Sequence, residues 1–176
     1  KLFLSSFYHS VMEEIVTFGH PSLNIKSEKI YTLDNNLRTL IQQMTQTMYK
    51  ASGVGLAAPQ ISKNIRLFVY DVGDGPKHCI NPKIIRRTGK AIIHEGCLSV
   101  PGYYFDIKRS EYVAVEALNI DGDTEIHEGS ELTARVLQHE IDHLNGKLLL
   151  TRLKRKDKTS ALSEISQKGI PGPYAD

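Results

Sequence analysis

The chain has 176 residues, of which 40% are hydrophobic and 24% are charged, and its formal net charge is +2. This size and composition are typical of one globular domain with its own hydrophobic core. The small net charge and the lack of a basic block in the middle of the chain argue against a specific nucleic-acid partner. No hydrophobic run approaches the roughly 18 residues of a transmembrane helix, so no membrane association is expected.

The two ends of the chain carry fewer structural signals than its middle. Residues 1–14 hold a lysine and a short apolar patch, without the small-residue cleavage pattern of a signal peptide. Residues 151–176 are polar and at first basic, with weak periodicity. We therefore predict an N-terminal extension over 1–14, one folded domain over 15–150, and a polar, partly helical tail over 151–176.

The first predicted element is a helix over residues 34–51. Asp34 is a suitable N-cap, and hydrophobic side chains then recur with the helical period. They are Leu37, Leu40, Ile41, Met44 and Met48. This stripe is typical of a helix face that packs on the core. A loop of small residues, GVGLAAPQ, follows over residues 53–60.

The middle of the chain is predicted to form strands. Residues 65–72 read IRLFVYDV, and the segments CINPKII, KAIIHEGC and YVAVEALNI are also rich in β-branched residues. The dipeptide Asp121-Gly122 indicates a hairpin turn. Near Glu131 the periodicity becomes helical again, and Gly146 is a suitable C-cap for that helix. The order of elements predicts an α+β fold, with mostly antiparallel sheets packed around a central helix.

That central helix carries the sequence HExxH, formed by His139, Glu140 and His143. Residues four apart lie on one helical face, so two imidazoles can bind one metal ion with the glutamate beside it. A catalytic site of this kind usually has three protein ligands and an open position for water. Taken alone, the pattern is also compatible with a surface helix that exposes two histidines.

Two residues are candidates for the third ligand. Glu164 lies 21 positions after His143, a spacing at which one class of zinc peptidases supplies a glutamate. Cys97 lies at the end of a predicted strand, in HEGCLSVPG, and its thiolate would suit Zn²⁺ or Fe²⁺. From the residues alone both candidates stay open, as does a structural metal site closed by four protein ligands.

Three separated segments resemble the motifs of the peptide deformylase family. They are GVGLAAPQ, EGCLSVPG and QHEIDHLNG, and they occur in the order that the family has. The resemblance extends over about residues 15–150. It implies a hydrolase that removes the formyl group from the N-terminal formylmethionine of new polypeptides and releases formate.

The resemblance also implies roles for individual residues. The metal would be held by Cys97, His139 and His143, and the water in its fourth position would attack the formyl carbonyl. Glu140 would be the general base and acid, as its place beside a ligand also suggests. Further implied residues are the oxyanion donors Gln60 and the Leu98 N–H, the main-chain substrate contacts Val54, Gly55 and Gly96, and the methionine-pocket residues Leu132 and Val136.

Residues around the motifs receive weaker expectations. Glu95 and Arg109 are expected to pair, and Gln138 and Asp142 are expected to orient the ligands. Tyr104 is a departure, because some family members carry arginine at this position. We read the other candidate groups as ordinary, and they are Cys79, His9, His20, His78, His94 and His127.

The resemblance finally implies a cofactor, partners and a location. We expect one divalent metal ion per chain, Fe²⁺ in the cell, with Zn²⁺, Ni²⁺ or Co²⁺ as replacements in purified protein. The expected partners are N-formylmethionyl nascent peptides at the ribosome. The expected location is a bacterial cytoplasm, and an organelle is the alternative. A zinc endopeptidase that uses Glu164 is the second functional hypothesis.

Overall fold

The computed structural model of the chain describes residues 12–174, so His9 and most of the predicted extension lie outside the described residues. The helices and strands of this part are, in chain order, α1 (Asn35–Lys50), β1 (Gly55–Ala57), β2 (Leu67–Tyr70), β3 (Lys77–Thr88), β4 (Ala91–Gly96), β5 (Tyr104–Arg109), β6 (Tyr112–Leu118), β7 (Thr124–Ser130), α2 (Glu131–Leu144) and α3 (Arg155–Lys168).

The strands form two antiparallel sheets. The larger sheet has the order β1-β2-β3-β6-β7, and the smaller one is the β4–β5 hairpin. Every neighbouring pair is antiparallel. The helix α2, which carries HExxH, packs against β1, β6 and β7. The predicted α+β fold with antiparallel sheets is therefore confirmed.

The sheet is covered on both faces, and β2 shows why its sequence is continuously apolar. Alternate side chains of a strand point to opposite faces of the sheet. Leu67 and Val69 pack in a cluster with buried side chains of α1. Phe68 and Tyr70 pack in a second cluster with the apolar face of α2. Because both faces of β2 are buried, helix α2 and its histidines are fixed on a rigid layer.

The predicted helix ends and turns agree with the structure. The Asp34 carboxylate accepts a hydrogen bond from the Leu37 N–H at 2.9 Å and caps α1. The turn between β6 and β7 has Gly122 at a φ of +90°. After α2, Gly146 has a φ of +67°, and a Cβ there would lie 2.8 Å from the Asn24 carbonyl oxygen. A glycine is therefore required where the chain leaves the HExxH helix.

The tail contains helix α3, which packs on the smaller sheet. Its buried residues Ala161 and Ile165 belong to a third hydrophobic cluster, with Val100, Ile107 and Leu149. The division of the chain at residues 15 and 150 stays a prediction. Among residues 12–174, no helix combines the length and the hydrophobicity that crossing a bilayer requires.

Candidate metal centre

Three candidate ligand atoms converge beside α2. The Nε2 atoms of His139 and His143 lie 3.2 Å apart. The Cys97 sulfur, at the end of β4, lies 3.3 Å from the His143 Nε2. All three donor atoms lie within 4.8 Å of one another. Within the described part of the chain, this is the one group of side chains found that could hold a metal ion.

The spacing and the protonation of these side chains fit a bound cation. Tetrahedral coordination with metal–nitrogen bonds of about 2.05 Å places two nitrogens about 3.3 Å apart. Burial lowers the pKa of His143 well below its usual range, so this ring is neutral and has a free lone pair. Burial would also lower the pKa of His139, but the Cys97 sulfur and the Glu95 carboxylate outweigh it and raise that pKa. The site therefore favours a positive charge, which a divalent metal ion would supply.

Glu140 is buried next to the ligands and against the main chain of β1. A Cβ at Gly55 would collide with its Oε1 atom, so only glycine leaves room for this carboxyl group. The Oε2 atom is buried and has no hydrogen-bond partner among the described residues. Burial raises the pKa of Glu140 to about 7. A carboxyl group with this pKa can both accept and return a proton near neutral pH.

Gln60 presents the amino end of its side chain to the same place. Its Oε1 accepts a hydrogen bond from the Ala57 N–H at 2.8 Å, which fixes the orientation of the amide. Its Nε2 donates to the Ser99 hydroxyl at 3.2 Å and lies 3.8 Å from the Cys97 sulfur. Sequence reasoning missed Ser99, although it lies two positions after Cys97 in the second motif.

A buried network of charges holds His139. The Glu95 Oε2 lies 3.1 Å from the His139 Nδ1, which leaves Nε2 for the metal. Arg109 forms two hydrogen bonds of 2.9 Å to Glu95, so the predicted pair is confirmed. Arg109 and Arg152 both bind Asp142. Burial would raise the pKa of Glu95, but the hydrogen bonds from Arg109 and His139 outweigh it and lower that pKa.

One expectation about this network needs correction. The Gln138 side chain contacts neither ligand and instead binds the main-chain N–H and carbonyl of Ser110, each at 3.0 Å. Asp142 is linked to His139 through Arg109 and Glu95, so its expected role in orienting a ligand stays a prediction. The side chains of Gln138 and Asp142 lie on a different face of α2 from His139 and His143. Their partners on that face are the turn between β5 and β6 and two arginines. Arg152 was missed, since nothing local links it to Asp142.

Cys97 and His139 open into a cavity of about 510 Å³ between β1, the end of β4 and α2, whereas His143 is not in its wall. Of the predicted residues, its wall contains Gln60, Cys97, Leu98, His139, Glu140, Val54, Gly55, Gly96 and Val136. Leu132 is not in this wall. It lies in the first turn of α2 and packs against the core.

The cavity wall also contains residues that were not predicted as site residues. Arg135 lies four positions before His139, and that helical spacing is the signal by which it could have been found. The ring of Tyr104 stacks on His94, with centroids 5.7 Å apart, at the rim of the cavity. Pro173, from the tail, also lines the cavity.

The competing ligand and the second cysteine lie elsewhere. The Glu164 carboxylate is on an exposed face of α3 and forms an ion pair with Lys168 at 2.6 Å. Cys79 is buried in the core, where burial raises the pKa of its thiol well above the usual range. His127, which we expected to be an ordinary histidine, is buried and lies 2.9 Å from the Tyr70 hydroxyl.

Comparisons with known proteins agree with this geometry. A family model for polypeptide deformylase matches residues 12–159. A peptide deformylase from Clostridium botulinum is 45% identical over 145 residues, which cover 82% of this chain and 99% of that protein. The crystal structure of a Legionella pneumophila peptide deformylase matches with a TM-score of 0.85 and 39% identity, and covers 89% of this chain and 95% of that one.

A further solved structure is a peptide deformylase from Synechococcus elongatus in complex with actinonin. It matches with a TM-score of 0.84 and 36% identity, and covers 93% of this chain and 91% of that one. The fold and site are thus those of a hydrolase with a candidate Cys-His-His metal centre. The chain belongs to the polypeptide deformylase family. Its activity is that of the family, the removal of the formyl group from the N-terminal methionine of polypeptides.

Proposed function

We propose that Cys97, His139 and His143 hold one divalent metal ion at which formylmethionyl N-termini are hydrolysed to formate and a free amine. One observation carries the proposal. The three donor atoms converge, and two of the residues that carry them, Cys97 and His139, line a cavity whose wall also contains Glu140 and Gln60. A closed structural metal site would give neither of these two residues a role. The Glu164 alternative has no comparable support, because that carboxylate is engaged with Lys168.

The ligand set limits the choice of metal without deciding it. When bound, the ion acts as a Lewis acid and brings the pKa of water towards neutrality. Two imidazoles and a thiolate accept Fe²⁺, Zn²⁺, Ni²⁺ or Co²⁺. We propose Fe²⁺ in the cell, with the other ions as replacements in purified protein. The negative thiolate weakens the Lewis acidity, so the proton-transfer and hydrogen-bonding residues carry more of the catalysis.

Glu140 moves the protons of the reaction. It takes a proton from the attacking water as the water oxygen bonds to the formyl carbon. It then returns this proton to the amine nitrogen as the carbon–nitrogen bond breaks, which leaves formate. The elevated pKa of about 7 suits both steps. Its position against Gly55 directs the carboxyl group into the cavity.

The oxyanion that forms on the carbonyl needs hydrogen-bond donors. We assign this role to the Gln60 side chain and the Leu98 main-chain N–H. The hydrogen bond from the Ala57 N–H holds the Gln60 carbonyl away from the reacting carbon and turns its Nε2 towards it. A donor fixed in advance costs no reorganisation during the reaction, and losing one typically lowers the rate by about 10²–10³.

The substrate binds mainly through its main chain. Val54, Gly55 and Gly96 lie at the ends of strands and line the cavity, so they can pair with an added peptide strand. This mode accepts many sequences after the methionine. Val136 and Leu132 form the methionine pocket in this proposal. Val136 is in the cavity wall, and Leu132 would have to contribute from the first turn of α2.

The biological setting follows from the substrate. We propose that the substrates are nascent chains close to the ribosome, and that the enzyme acts in a bacterial cytoplasm, with an organelle as the alternative. The catalytic unit of this proposal is residues 15–150.

The proposed role of Glu140 predicts the behaviour of a near-isosteric variant. Glu140→Gln should lower kcat for formate release from formyl-Met-Ala-Ser by at least about 10², because glutamine cannot carry the proton. Its metal content should equal that of the wild type. The measurement uses anaerobically prepared, Fe²⁺-loaded protein, and the exposed variant Glu128→Gln is the control. Full activity of Glu140→Gln would refute the mechanism.

A further inference from the structure

The end of the described chain, Gly169–Tyr174, crosses the mouth of the cavity, and we name it the C-terminal strap. It leaves α3 at Lys168. At its start, the Tyr103 hydroxyl donates a hydrogen bond to the Gly169 carbonyl at 2.7 Å. Ile170 packs against the hydrophobic cluster under α3. The Pro171 ring then lies 3.1 Å from the position of a Cβ on Gly102. The strap therefore begins on the loop that follows Cys97.

The other end of the strap reaches the opposite side of the cavity. The Lys50 ammonium lies 5.5 Å from the centre of the Tyr174 ring. The Tyr174 hydroxyl is 3.4 Å from the Glu13 carbonyl oxygen. Lys50 is the last residue of α1, immediately before the Ala51–Gly53 wall of the cavity. The strap thus spans the cavity from the loop that follows Cys97 to the end of α1.

Between these two anchors, Pro173 faces inward. It lines the same cavity as Glu140 and Cys97. Proline has no N–H to donate and loses little conformational entropy when it is held in place. Its ring therefore offers an apolar surface that makes no sequence-specific hydrogen bond, which suits a peptide of variable sequence.

The direction of a bound peptide leads to the strap. Gly55 touches Glu140, so the formyl end of a substrate lies near Gly55. From Gly55 the protein chain runs back through Gly53 to Ala51, along the cavity wall and towards the end of α1. A peptide paired antiparallel to β1 follows the same path. On this path the first two residues of a peptide would occupy the inner cavity, and its later residues would reach the part of the wall that contains Pro173.

We propose that the C-terminal strap is a wall of the substrate cleft that contacts the third and following residues of the formylated peptide. The strap adds affinity for peptides longer than two residues. This inference rests on the proposed function of the cavity. Pro173 supplies the contact, and the hydrogen bond from Tyr103 to Gly169 holds the strap in place.

The test compares substrates of two lengths. Steady-state kcat and KM are measured for formyl-Met-Ala and formyl-Met-Ala-Ser-Ala in the wild type, Pro173→Ala and Tyr103→Phe. The first variant removes the ring, and the second removes the anchoring hydroxyl but keeps the aromatic ring in the cavity wall. The matched controls are Pro21→Ala and Tyr112→Phe, an exposed proline and a tyrosine whose hydroxyl binds only the exposed Glu128 at 2.7 Å.

We expect Pro173→Ala to raise KM for the tetrapeptide about three- to tenfold, as the loss of an apolar contact implies. Tyr103→Phe should act in the same direction, and both should change KM for the dipeptide less than about twofold. Equal changes for the two substrates, no change, or a lower KM for the tetrapeptide would overturn the strap proposal. A wild type that releases formate from neither peptide would overturn the proposed function, and the strap proposal with it.

Discussion

At the scale of single residues, Glu140 can take its position because Gly55 has no side chain. The two residues are 85 positions apart in the sequence, and the fold brings the carboxyl group onto the glycine Cα. Gly55, the second glycine of GVGLAAPQ, thus leaves the space that the glutamate of HExxH occupies. Its backbone does not lie in the left-handed region, so the requirement for glycine here comes from space and not from φ.

Gly55→Ala should therefore lower activity by displacing Glu140, the proposed proton-transfer group. We expect kcat for formyl-Met-Ala-Ser to fall by about 10², comparable with the loss of a positioned general base. Bound metal should stay unchanged, because the three atoms nearest to a Cβ at Gly55 all belong to Glu140 and none to a candidate ligand. Kinetics and metal analysis of the same preparation test this, and an unchanged kcat would show that Glu140 has no fixed position.

At the scale of elements, one arginine joins three of them. Arg109, on β5, binds Glu95 on β4 and Asp142 on α2. All three side chains are almost fully buried. Removing the guanidinium leaves the buried Glu95 without its arginine partner and leaves the buried Asp142 with Arg152 alone. This is far more costly than losing an exposed ion pair. The network therefore fixes the small sheet to the HExxH helix.

Arg109→Leu should lower the free energy of unfolding by about 3–5 kcal/mol. The control is Arg38→Leu, which removes an exposed ion pair with Asp121 and should cost at most about 1 kcal/mol. Urea unfolding of the two variants and the wild type, at one metal concentration, gives the comparison. Similar losses for both variants would mean that the buried network does not stabilise the fold.

Sequence reasoning succeeded where the signal is local. The Asp34 cap, the α1 stripe and the HExxH helix each follow from residues within a few turns of one another. Contacts between distant segments gave no such signal. Ser99 with Gln60, Arg152 with Asp142, and Pro173 with the cavity depend on how elements pack. Cys97 is an intermediate case. From the residues alone, Cys97 and Glu164 were both candidates for the third ligand, and only the resemblance to a family motif favoured Cys97.

At the scale of the whole molecule, stability depends on protons as well as on packing. His127 is buried between Tyr70 and Glu125, and Lys77 and His78 also face it. Burial lowers the pKa of His127, because the charged form would lose its hydration. The unfolded chain therefore binds more protons than the native one as the pH falls below about 6.5. The stability that the fold keeps by burying His127 in its neutral form is complete above that pH and is lost in acid.

His127→Gln should flatten this part of the pH dependence. The free energy of unfolding is measured between pH 8 and pH 5.5 for metal-loaded wild type and variant. Taking the difference between the two proteins cancels the contributions of the groups that both contain. One of these is Glu140, whose pKa is raised to about 7 and whose effect on stability has the opposite pH dependence. We expect the stability advantage of the wild type to shrink as the pH falls. An advantage that is constant or grows in acid would contradict the prediction.

The proposed mechanism requires that Cys97 joins His139 and His143 as a ligand of a catalytic metal. The most direct measurement is bound metal per chain, with formate release, for three anaerobically prepared variants. They are Cys97→Ala, Cys79→Ala and Glu164→Ala. We expect that only Cys97→Ala loses both metal and activity, since Cys79 is buried in the core and Glu164 binds Lys168. Full metal and activity in Cys97→Ala, or loss of metal in Glu164→Ala, would contradict it.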